Sequence, residues 1–166
     1  MTKGESSFFE KLRSSVIIVL AIGLALALYF LPFVVDGHKL LFIPIVLLAS
    51  LLPDIDSAHS SLGRKKIFRP VQLLLEHRGP LHSLSFLIAV SLVLMFFYPV
   101  PALPFFLGYS SHLLADSFTA GGIKPFWPLK LHTKGVVRTG GVVDRTIFTI
   151  FVIVDIFLFV LLFVRA

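Results

Sequence analysis

Cysteine is absent from the 166 residues, which excludes disulfides, thiolate metal sites and cysteine nucleophiles. Charge is nearly as scarce: Asp, Glu, Lys and Arg make up 14 % of the chain, against about a quarter in an ordinary soluble domain. Tryptophan occurs once and tyrosine three times, whereas phenylalanine occurs eighteen times. A chain that is 57 % hydrophobic and so poor in charge is neither disordered nor a typical water-soluble domain. Its length fits one domain and, in a bilayer, four to six spans of about 20 residues each. Of the few charges, fifteen are basic and nine acidic, for a net +6. In so apolar a chain this excess encodes orientation and contact with anionic lipid, and nucleic-acid binding is not expected.

Five apolar stretches stand out, at residues 14–35, 40–52, 81–100, 102–115 and 146–164. The first follows Lys11 and Arg13 and contains an Ala25-Leu26-Ala27 resembling a cleavage site, but the apolar run continues beyond it, so it reads as a retained span. The second and fourth are short. Helices of that length cover about 21 Å, against a hydrocarbon layer of about 30 Å, so both are expected inside a bundle with their polar ends in a pocket within the membrane boundary. With the N-terminus inside, nearly all Lys and Arg fall in the N-terminal tail and in the loops 53–80 and 116–145, leaving Lys39 and Arg165 outside. The positive-inside rule therefore gives an all-α, polytopic membrane bundle, a single domain of about five spans. Its N-terminus lies in the cytoplasm of a prokaryotic cell and its C-terminus outside the inner membrane.

Acidic residues and histidines collect at the cytoplasmic ends of these helices. Asp54 and Asp56 end the second stretch, His77 and His82 flank the start of the third, and His112 and Asp116 lie four apart near the end of the fourth, on one helical face. Three Asp and three His brought to one membrane face repel or titrate unless a cation holds them. Nitrogen and oxygen donors without sulfur suit Zn²⁺, Mn²⁺ or Fe²⁺, and six groups are enough for one or two ions. Arg64, Lys65, Lys66 and Arg78 lie between the donor clusters. Gly79-Pro80 reads as a helix start, where free amides add to an anion cradle beside Arg78. Metal ions beside such a cradle suit phosphoester hydrolysis. Asp155, alone at the centre of the fifth stretch, is expected to be protonated and bonded to Ser91 or to a neighbouring subunit.

The segments Leu51-Leu52-Pro53-Asp54-Ile55-Asp56, His77-Arg78-Gly79-x-x-His82-Ser83 and Gly108-Tyr109-x-Ser111-His112-x-Leu114-Ala115-Asp116-x-x-Thr119-x-x-Gly122, followed by Trp127-Pro128, resemble the bacterial and archaeal YdjM/YbcI family. That family is described as inner-membrane metal-dependent hydrolases, in places as LexA-binding. It is held to be distantly similar to zinc-dependent phospholipase C and the single-strand nucleases. The resemblance covers roughly residues 38–146. It implies phosphoester substrates and marks Asp54, Asp56, His77, His82, His112 and Asp116 as the metal set, with Asp144 as a further ligand where relatives carry Glu. The chain departs from the family in having no His before His38.

These observations lead to a membrane-embedded, metal-dependent phosphohydrolase at the cytoplasmic face, acting on a lipid-linked or amphipathic phosphoester. Asp54, Asp56 and Arg78 would serve catalysis, Arg78, Lys65 and Arg64 would hold the phosphate, and zinc is the first-choice ion. The alternative is a non-catalytic, metal-stabilised scaffold for a soluble regulator, or a divalent-ion carrier.

Overall fold

A computed structural model describes residues 3–34, 36–57, 60, 63–74 and 79–165. They form helices α1 (Lys3–Phe30), α2 (Lys39–Leu51), α3 (Arg69–Leu74), α4 (Leu84–Phe97), α5 (Pro99–Phe118) and α6 (Val142–Arg165). No strand occurs among the described residues, so the protein is all-helical. Two isolated bridges, Thr119 with Val137 and Ile123 with Thr133, order the loop between α5 and α6.

Prolines and glycines set the helix limits. Pro32, which has no amide to donate, falls just after α1, and the chain goes on as a 3-10 turn at Leu31–Phe33. Pro53 likewise follows α2, and the chain leaves that helix through a 3-10 turn at Leu52–Asp56, with Leu52 keeping helical backbone angles. The stretch 102–115 reads as too short to span a bilayer, but α5 takes in Pro99 and runs 20 residues to Phe118, about 30 Å. Pro99 and Pro101 are tolerated because the amides of a first turn have no helical partner to lose. The third stretch is shorter than its hydropathy implies: Pro80–His82 is a separate 3-10 turn, and α4 begins only at Leu84. Ser83 caps it by accepting the Phe86 amide at 3.1 Å.

Helix α5 is the centre of the bundle and packs on α1, α2 and α4, whereas α6 lies along α1. One core cluster joins Ala49, Leu87, Phe105, Tyr109, Leu113 and Ile123, and a second joins Ala27, Phe42, Val46 and Leu107. Helices α2 and α5 meet at Gly108, where an added Cβ would lie 2.0 Å from the Val46 carbonyl oxygen. Gly23 of α1 faces Ser50 and Ser111 across the same junction. Small residues at a crossing let backbones approach closely, which drives helix association where hydrocarbon surrounds the helices. The segments Val16–Phe33 and Val142–Val164 are long and apolar enough to cross a membrane. On α6, Ile153, Phe157 and Phe163 are exposed, as a lipid-facing surface requires.

Gly108→Ala is expected to destabilise the bundle by about 1–3 kcal/mol through backbone overpacking against α2. Gly37→Ala, whose added Cβ would meet nothing within 4 Å, is the matched control. Thermal unfolding of the detergent-purified proteins should show a lower midpoint for the first and little change for the second.

Candidate metal centre

Three elements bring the polar cluster together: the 3-10 turn after α2 supplies Asp54 and Asp56, the 3-10 turn before α4 supplies His82, and α5 supplies His112 and Asp116. His82, His112, Asp56 and Asp116 are buried, and Asp54 is half-buried.

Each histidine is held from behind. His112 Nδ1 donates to the Ser50 carbonyl at 2.7 Å. Ser50 lies in the last turn of α2, where helical carbonyls lose their partners, so this oxygen is available. His82 Nδ1 donates to Asp56 Oδ2 at 3.0 Å. Both bonds point Nδ1 away from the cluster and leave Nε2 of each ring facing inward. The rings stand edge to face, with centroids 5.4 Å apart.

Ligand atoms of Asp54, His82 and His112 all lie within 4.8 Å of one another. His112 Nε2 is 3.9 Å from Asp54 Oδ1 and 3.8 Å from Asp116 Oδ2, and His82 Nε2 is 3.5 Å from Asp116 Oδ2. The two His112 distances are too long for hydrogen bonds, and His112 Nε2 is buried without a hydrogen-bond partner. A tetrahedral shell with bonds of about 2.0–2.1 Å holds its donors about 3.4 Å apart. The spacing therefore matches donors around a cation better than donors bonded to one another, and the set of two nitrogens and two carboxylates suits zinc. Burial holds the Asp54 carboxyl above the ordinary carboxylate range; His112 and His82 pull it down, whereas Asp116 and Asp56 push it further up.

The remaining candidates are placed differently. Asp56 stands behind His82, and its side chain has no solvent exposure. Asp144 sits in the first turn of α6, accepts the Gly140 amide at 2.7 Å and lines a cavity with Asp116 outside the donor group. Arg64 and Lys65 are exposed, and Arg64 Nε donates to the Ser60 carbonyl at 3.3 Å. His77 and Arg78 lie outside the described residues. At the start of α4 the amides are already engaged: those of Leu84 and Ser85 donate to the Pro125 carbonyl at 2.8 and 3.3 Å, and that of Phe86 is taken by Ser83. Nor does Asp155 bond Ser91, because the Ser91 hydroxyl and Asp155 Oδ1 are both buried without a partner.

Three supporting residues escape a reading of the sequence for donors. Tyr109 donates its hydroxyl to the Leu81 carbonyl at 2.6 Å and ties α5 to the turn that carries His82. Gln72 on α3 donates to the Ile55 and Gly63 carbonyls at 3.0 and 2.7 Å, holding the Asp54–Asp56 turn. Ser60 donates to the Asp54 carbonyl at 2.5 Å. Tyr109 was within reach, since it lies three residues before His112 on one face; Gln72 carries no local signal.

Asp56→Asn keeps the shape of the side chain but weakens its hold on the His82 ring. Divalent-cation affinity measured by calorimetric titration is expected to fall about 10–100-fold, with helical content unchanged by circular dichroism.

The sequence profile of a family described as "YdjM inner membrane protein" matches residues 17–165. The inner membrane proteins YdjM of Escherichia coli (strain K12) and Shigella flexneri are each 38 % identical over 111 residues, covering 60 % of this chain and 55 % of theirs. The chain thus spans about half the length of these curated relatives. The uncharacterized protein YvsG of Bacillus subtilis (strain 168) is 26 % identical over 133 residues, covering 74 % of this chain and 83 % of its own. No solved structure matches. With a profile that takes in nearly the whole chain, the protein belongs to the YdjM inner membrane protein family.

Proposed function

We propose that this family member is a multi-pass, metal-dependent hydrolase that acts on phosphoesters at the cytoplasmic face of the inner membrane. The observation that carries the reading is the inward-facing Nε2 of His112, buried and without a hydrogen-bond partner, with carboxylates at 3.8 and 3.9 Å. The residues that would hold the ion are Asp54, His82, His112 and Asp116. Zn²⁺ suits them first, and Mn²⁺ or Fe²⁺ would accept the same donors. A bound divalent cation supplies Lewis acidity to a phosphoryl oxygen and lowers the pKa of a coordinated water.

The chain's own residues prepare this chemistry. Ser50 and Asp56 orient the two imidazole rings, so no reorientation is needed when an ion arrives. Asp54 and Asp116 supply negative charge that offsets the cation. Asp54 is the one half-exposed carboxylate of the four donors and thus the side on which substrate would approach. Exposed Arg64 and Lys65, with Arg78, would attract an anionic headgroup. The five-span arrangement, N-terminus inside, is part of the same reading. Its support is the distribution of basic residues, the two long apolar segments and an α5 of membrane-spanning length.

Elemental mass spectrometry of the detergent-purified protein is expected to find zinc or manganese near one ion per chain, lost in a His112→Ala/Asp116→Ala double variant. Phosphoester hydrolysis should fall about a hundredfold or more in that variant and on chelation, since the ion contributes several kcal/mol to the transition state. Metal retention with no hydrolysis of any phosphoester would favour the non-catalytic scaffold. Zinc flux into liposomes would favour the carrier.

A further inference from the structure

Between α1, the C-terminal half of α5 and the start of α6 lies a cavity of about 250 Å³. Its walls are aliphatic and aromatic: Ile18 and Ile22 from α1, Leu114 from α5, Ile147 and Phe151 from α6. Asp144, Ile147 and Phe151 recur at spacings of three and four, so one stripe of α6 faces it. Among the lining residues only Asp116, Thr119 and Asp144 carry polar side chains. Asp116 is shared with the donor group, its Oδ2 lying 3.5 and 3.8 Å from the two histidine nitrogens. The cavity is thus an apolar chamber whose polar end is a wall of the metal cluster.

Three features constrain its occupant. The chamber is smaller than a drug-sized pocket of about 300–1,000 Å³, so it suits one unbranched aliphatic chain better than a ring system. It lies between α1 and α6, the two helices that contain the segments long and apolar enough to cross a membrane. Its polar end bears carboxylates, which repel a phosphate unless the cluster holds its cation, so an anionic headgroup is admitted there only with the metal in place.

We propose that this cavity receives the aliphatic chain of a membrane-derived phosphoester whose phosphate lies at the Asp54–His82–His112–Asp116 cluster. The inference rests on the phosphohydrolase reading and sharpens it: the substrate is a single-chain amphiphile or one chain of a phospholipid, taken from the bilayer. The chain is bound by burial of methylene groups, each worth about fourfold in affinity. A water-soluble phosphoester would lack that contribution.

The test uses the zinc-loaded full chain in nanodiscs with a long-chain alkyl phosphate carrying a diazirine at its terminal carbon. Photolabel mapped by peptide mass spectrometry should concentrate on 18–22 and 147–151 and fall about tenfold in Ile147→Trp, which fills the chamber. Zinc content equal to the parent shows that this variant keeps its donor group. Should the indole disturb folding, Ile22→Phe reduces the volume more gently and is expected to lower labelling in the same direction. Label spread evenly over the outward residues of α6, such as Ile153, Phe157 and Phe163, and unchanged by either variant, would overturn the proposal. Concentrated labelling in a protein that hydrolyses no phosphoester would uphold the chamber and remove the catalytic reading. Hydrolysis of a soluble ester without labelling of the chamber would do the reverse.

Discussion

The hydrogen bond from His112 Nδ1 to the Ser50 carbonyl governs more of this structure than any other contact. It joins α5 to the last turn of α2, where the backbone has an oxygen that the helix itself leaves over. It also orients the ring, so the other ring nitrogen faces a group of carboxylates. The close approach of α2 and α5 at Gly108 makes this reach feasible, since a side chain there would push Ser50 and His112 apart. Packing and chemistry therefore depend on the same crossing.

The electrostatics of the cluster follow from helix direction. Helices α2 and α5 both end at it, and their C-terminal dipoles disfavour the carboxylates of Asp54, Asp56 and Asp116. The amides at the start of α4 give no relief, because Pro125 and Ser83 have taken them. Asp56 and Asp116 are thus buried where backbone dipoles do not favour their charge, with Asp54 half-exposed beside them, and a cation is the natural counterpart. In a chain with nine acidic residues, gathering three of them in one such place is expensive unless something offsets it.

Much of this was legible in the sequence because charge is so sparse there. Apolar runs bounded by Pro and Gly marked the helices, and Asp54, Asp56, His82, His112 and Asp116 stood out against an apolar background. The four-residue spacing of His112 and Asp116 placed them on one face before any coordinates were needed. Less legible was whatever depends on backbone groups. The Ser50 carbonyl and the Pro125 carbonyl are acceptors that every residue carries, so their use follows from tertiary approach alone. That is why the engaged amides at the start of α4 were not foreseen, and why Asp56 read as a ligand although it stands behind His82. The length of α5 was underestimated for a local reason: Pro99 and Pro101 sit in its first turn, where no helical bond is lost, and the helix also accommodates Pro104 in its interior.

The Pro125 carbonyl that closes α4 belongs to a segment made long after that helix. As the chain leaves the ribosome, α4 emerges with its Leu84 and Ser85 amides still without their acceptor, and they stay so until α5 and the loop beyond it have followed. The turn that carries His82 is contiguous with that unfinished end. Synthesis therefore sets an order: the start of α4 is closed only after α5 and the segment that carries Pro125 have been made. A polypeptide interrupted before Pro125 would carry Asp54, His82, His112 and Asp116 yet leave the Leu84 and Ser85 amides without their acceptor.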